Sequence, residues 1–127
     1  MKDPLTLGQL QREFSTLVAR LILKANAMGY QLTFGECWRP PETAALYQQQ
    51  GKGIIQSLHS DRLAIDLNLF KNGVYLITTE DYRPLGEWWE AQSTMDYMLC
   101  WGGTFRDSEG KPNPDSDHFS LEYGGRK

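Results

Sequence analysis

The chain has 127 residues, room for one domain with a single modest core. At 40% hydrophobic and 12% aromatic residues it is too apolar for a disordered segment, and its apolar runs are far too short for a membrane span. A net charge of −3 with no basic block argues against nucleic acid as the main partner.

The opening "MKDPLTLGQLQREF" is interrupted by charges and has no apolar h-region, so no secretory signal is expected. Leu10, Phe14, Leu17, Val18, Leu21, Ile22 and Ala25 recur at steps of three and four, predicting a helix from Leu10 to Met28. Thr6 with Gln9 makes a capping box at its start, and Gly29 a stop. Tyr30 to Glu36 alternates apolar and polar residues and reads as a strand. After Pro40-Pro41, Glu42 to Gln50 is helix-forming and closes at Gly51. Residues 51–61 read as a polar loop. Leu63 to Phe70 and Val74 to Thr78 are predicted strands joined by the hairpin turn Lys71-Asn72-Gly73.

A further helix is expected from about Pro84, with Leu85, Trp88 and Trp89 facing inward, although adjacent tryptophans cannot both be fully buried. Met98 to Trp101 reads as a short strand before the Gly102-Gly103 turn. "RDSEGKPNPDSD" reads as a loop, and its acidic residues lack the spacing of a calcium-binding EF-hand. His118 to Tyr123 reads as a last strand. No repeat or linker interrupts residues 1–127, so the expectation is a single α+β domain, a small antiparallel sheet packed against about three helices. Cys37 and Cys100 lie far apart, each beside a Trp and neither in a CxxC pair, and read as buried free thiols.

The chemistry concentrates in His59, Asp66 and His118. Catalytic zinc takes three protein ligands from this set of residue types and leaves one position for water. The two histidines are the only ones in the chain. His59 lies before the strand that carries Asp66, across the turn at 60–62, so the chain can bend to bring an odd spacing to one point. Asp115, three residues before His118, has the spacing of a general base that reaches water at the metal. Asp117 is adjacent to His118, and in an extended chain its side chain points away from it. Taken singly, a His–Asp pair in a strand is more often a structural hydrogen bond, and DxxH near a terminus more often a solvated loop. Together they make one three-ligand pattern on the sheet.

"SLHSDRLAID" resembles the S-x-H-x-x-G-x-A-x-D signature of the zinc D-Ala-D-Ala carboxypeptidase and L-alanyl-D-glutamate endopeptidase family, which includes phage endolysins. "GECWRPPETAALYQQQGKG" is similar to that family's G-x-R-[ST]-x-x-x-Q-x-x-L-x-x-x-G segment, and "CWGGTFRD" to its W-G-G-D-[FW] run. The likeness extends from about residue 30 to 123. It implies His59, Asp66 and His118 as zinc ligands and Asp115 as catalytic base. It further implies Arg39 as the oxyanion-stabilising arginine, and Ser57 as a residue that supports the site or touches substrate. Arg62 stands where the family most often has Gly, implying an ordinary φ at that turn or a separate subgroup. Thr104 stands where Asp is usual.

The resemblance implies a zinc metallopeptidase acting on the peptidoglycan stem peptide, with the L-Ala–D-Glu bond first and D-Ala-D-Ala cleavage second. A monomer is expected, with no nucleic-acid or membrane partner. It would be made in the cytoplasm without a signal and act on the cell wall after release, as in phage lysis. Two other classes compete. One is a non-catalytic wall-binding or structural module; the four filled site positions weigh against it. The other is a Ser57–His59–Asp66 hydrolase, disfavoured because Ser and His two apart cannot readily bond, and no G-x-S-x-G elbow is present.

Overall fold

In the computed structural model, which describes residues 3–52 and 57–127, three helices pack with one five-stranded antiparallel sheet. Residues 53–56 of the expected polar loop lie outside the described residues. The first helix, α1 (Leu7–Ala27), starts where the capping box places it: Thr6 and Gln9 each accept a hydrogen bond from the other's backbone N–H. Its buried stripe is Leu10, Phe14, Leu17, Leu21 and Ala25, five of the seven residues of the repeat read from sequence, with Val18 and Ile22 half-buried. Gly29, at φ +90°, turns the chain out of the helix.

Strand β1 (Gln31–Phe34) lies at the sheet edge against β2 (Ala64–Lys71), with Gln31 opposite Phe70 and Phe34 opposite Leu67. Helix α2 (Pro41–Gln49) opens on its proline, as expected. The 71–73 turn joins β2 to β3 (Val74–Tyr75), which is shorter than predicted. One more ladder bond, Leu76 N to Leu69 O at 2.9 Å, continues past it. Strands β4 (Leu99–Trp101) and β5 (His118–Leu121) complete the order β1-β2-β5-β4, with β3 also paired to β2.

Helix α3 runs Thr79–Ala91, beginning five residues before the expected Pro84. Thr78 caps it by accepting from Asp81 N at 3.1 Å, and Glu80 and Asp81 place negative charge in the positive first turn. Burial of Tyr82, Leu85 and Trp89 on the same helix helps offset the helical bond that Pro84 cannot donate. Trp89 is fully buried, edge-on to Phe14 at 6.0 Å and to Phe119 at 6.2 Å, and its Nε1–H donates to Cys100 O and Ser120 O. Trp88 is half-buried, as the adjacency requires. Of the two free thiols Cys100 is buried but Cys37 is exposed. Cys37 lies beyond the end of β1, where no element covers it, so a neighbouring Trp is a poor sign of burial.

Candidate metal centre

His59 sits in a tight turn. Asp61 N donates to Leu58 O at 3.1 Å, Arg62 N to His59 O at 3.3 Å and Leu63 N to Leu58 O at 2.9 Å. Buried Ser57 accepts from His59 N at 3.1 Å, so its hydroxyl braces the turn. Gln11 of α1 donates to Asp61 O at 2.8 Å, and Arg126 pairs with the Asp61 carboxylate, fixing the turn from two sides. The expected ordinary φ at Arg62 is not found: it is left-handed, at +58°. The turn needs that conformation to pass straight from His59 into β2. Arg62 occupies it without being glycine, with its guanidinium 4.6 Å from the centre of the Trp38 ring.

Asp66 and His118 stand directly opposite each other on β2 and β5. The sheet register alone thus makes neighbours of residues 52 apart in sequence. Asp66 Oδ1 lies 3.3 Å from His59 Nε2 and 3.6 Å from His118 Nδ1, and Asp115 Oδ2 lies 3.7 Å from the same Nδ1. Asp115 approaches because Gly102 has no side chain: a Cβ there would stand 2.0 Å from Asp115 O and 2.9 Å from His118 Cβ. Asp115 N donates to Gly102 O at 2.9 Å and His118 N to Asp115 O at 3.1 Å, closing the loop over that glycine.

One ligand atom from each of His59, Asp66 and His118 falls within 4.8 Å of the others, close enough to hold a metal ion. Both histidines are more than nine-tenths buried, and Asp66 Oδ1, His59 Nδ1 and His118 Nε2 are buried without a hydrogen-bond partner. Buried polar atoms are costly when left unpaired, and a cation between the two imidazoles and the carboxylate would satisfy Asp66 Oδ1, meeting His59 Nε2 and His118 Nδ1, the nitrogens that face it. Two nitrogens and one oxygen with room for a fourth ligand is a donor set that suits zinc. Burial works to raise the Asp66 carboxyl, but the facing imidazoles overcome it and hold it down at about 2. Burial likewise opposes charge on His59, yet Asp66 first and Glu36 next raise it above the ordinary histidine value. Asp66 and His59 thus stabilise each other's charged forms.

Arg39, Ser57, His59, Asp66, Asp115 and His118, all six residues expected at the site, line one cleft of about 550 Å³. Arg39 reaches it braced by Glu36, which accepts from Arg39 Nε at 2.7 Å, and by the Tyr47 ring 5.1 Å away. The Asp117 carboxyl joins those of Asp66 and Asp115 within 4.8 Å, and it opens to a neighbouring cleft beside Thr79 and Tyr82. Burial, the Asp66 charge and a hydrogen bond to Asp115 push it up to about 7. Thr104 donates to Trp101 O at 3.1 Å and does not line the cleft of the triad. Sequence reading missed Glu36, whose place depends on β1 running on beside β2. An acidic residue directly after Gly35 was the only available sign.

Fold and site together define an α+β domain with a two-histidine, one-carboxylate centre at the junction of two strands and a turn. No protein-family model matches the chain, and no curated protein sequence matches it. Among the described residues no helix is long and apolar enough to cross a membrane.

Proposed function

We propose that this chain is a zinc metallopeptidase that cleaves an amide bond of the peptidoglycan stem peptide, the L-Ala–D-Glu bond, in the setting of cell-wall lysis. The observation that carries the reading is the convergence of His59, Asp66 and His118 in the cleft that also holds Asp115 and Arg39. The same three-ligand set would serve ferrous iron, but a solvent-accessible carboxylate and a guanidinium flanking it favour hydrolysis. The choice of peptidoglycan rests on the three motif stretches.

Bound zinc would polarise the amide carbonyl and lower the pKa of a nearby water. Asp115, with a side chain 56% exposed, is free to take a proton from the attacking water and return it to the leaving amine. Arg39 presents a permanent positive charge where the carbonyl oxygen becomes an oxyanion. Glu36 and Tyr47 hold that guanidinium in place, so it need not reorganise as charge develops. Ser57 keeps the His59 turn rigid.

The test is mass spectrometry of purified muropeptides after digestion, alongside metal analysis. About one zinc per chain and a new amine at the cut bond are expected. Asp115→Asn should retain zinc and lose about 10²–10⁴ in rate, whereas His118→Ala should lose both. A folded protein that cuts muropeptides without metal, or a zinc-loaded one that leaves every stem-peptide bond intact, would sink the reading.

A further inference from the structure

Residues 35–39 run between two of the three candidate ligands and are bonded to both. Gly35 N donates to Asp66 O and Asp66 N donates to Glu36 O, each at 2.8 Å, while Arg39 N donates to His59 O at 3.2 Å. The approach to Asp66 is close enough that a Cβ on Gly35 would stand 3.0 Å from Asp66 Cβ. The Glu36 carboxylate is thereby fixed beside the site. Its Oε1 accepts from Arg39 Nε at 2.7 Å, pairs with Arg39 Nη2, and faces His59 Nδ1 at 3.8 Å. That Nδ1 is buried and has no hydrogen-bond partner among the described residues.

Resting on the metal reading above, we infer that Glu36 is a positioning residue that orients two groups with one oxygen, the His59 imidazole and the Arg39 guanidinium. A histidine that binds metal through one nitrogen needs an acceptor for the N–H of the other, and a carboxylate in that place fixes the ring and strengthens the ligand. Here Nε2 faces Asp66, so Nδ1–H is the proton to be held, and Glu36 Oε1 is the carboxylate on that side. A plain ion pair between residues three apart would be a weaker account. Such pairs are ordinarily exposed, whereas the Arg39 and Glu36 side chains are only 14% and 25% exposed. Glu36 also neutralises a guanidinium that would otherwise repel a cation in the same cleft.

These two roles separate by zinc affinity, measured on the full chain by competition with a chromophoric chelator. Glu36→Ala should weaken zinc binding about 10–100-fold, and Glu36→Gln, which keeps an acceptor oxygen, should recover most of that loss. Arg39→Met should leave zinc binding unchanged, and Glu36→Ala/Arg39→Met should recover only the part of the loss that the unneutralised guanidinium causes, binding zinc well below the parent. Unchanged affinity in Glu36→Ala overturns the inference, as does full recovery in the double variant, since charge neutralisation would then be the whole effect. A parent protein that binds no zinc overturns the metal reading itself and Glu36's role with it. If Glu36→Ala does not fold, the zinc-loaded parent decides. A slowly exchanging His59 Nδ1–H proton resonance is expected, and a rapidly exchanging one overturns the assignment.

Discussion

Arg62 occupies a backbone conformation that costs an L-residue roughly 1–2 kcal/mol, yet it sits in the turn that delivers His59. Its stack on Trp38 returns about 0.5–1 kcal/mol at an exposed site, and glycine would gain φ freedom while losing more chain entropy on folding. These terms nearly cancel for Arg62→Gly, which should stay within about 1 kcal/mol of the parent by urea denaturation. Arg62→Ala keeps the backbone cost and loses the stack, so it should be the least stable of the three, by about 0.5–1 kcal/mol. An alanine variant as stable as the parent would show that the Trp38 contact contributes nothing.

At the scale of elements, α3 and β4 meet through Trp101, which lies against two glycines. A Cβ on Gly86 would stand 2.1 Å from Trp101 Cδ2, and one on Gly103 2.1 Å from Trp101 Cζ2. Alanine is the better helix former by about 1 kcal/mol, but forcing a methyl into that contact costs typically 1–3 kcal/mol and more where the neighbour is a ring that cannot yield. Gly86→Ala should therefore lower the melting temperature by several degrees. Because Trp101 Nε1 donates to Ser116 O at 2.7 Å, inside the loop that carries Asp115 and His118, zinc affinity should fall with it. A melting temperature equal to or above the parent's would refute the contact. The same elements show what a sequence can carry. Local signals were legible: the α1 stripe, the Thr6–Gln9 cap, the hairpin at 71–73 and the candidate triad His59, Asp66 and His118 all depend on near neighbours or on scarce residue types. Signals that arise only when strands pair were not. Glu36 comes beside the site because the chain after β1 continues alongside Asp66, and Asp117 comes near Asp66 because its backbone carbonyl accepts from Leu67 N at 2.9 Å. Pro84 misled because proline more often opens a helix than interrupts one.

Across the whole molecule, the candidate centre joins three segments that the chain connectivity leaves separate: the turn at His59, the first half of β2 and the start of β5. Backbone register opposes Asp66 to His118, so the fold should form metal-free, with the unpaired atoms of the triad as its weak point. An ion bound only by the folded state stabilises it by about 2.7 kcal/mol at a free concentration one hundred times its Kd, and by about 1.4 kcal/mol for each further tenfold. Zinc should therefore raise the melting temperature by several degrees, and the rise should continue with the logarithm of free zinc. Chelation should reverse it while leaving far-ultraviolet circular dichroism intact at 25 °C. His118→Ala should melt at one temperature with or without zinc. Magnesium, a hard cation that prefers oxygen ligands, should leave the parent unshifted. A parent whose melting temperature ignores both zinc and chelator, or a His118→Ala variant that responds as the parent does, would remove the metal from the triad and leave the convergence of His59, Asp66 and His118 as a purely structural junction between β2, β5 and the turn.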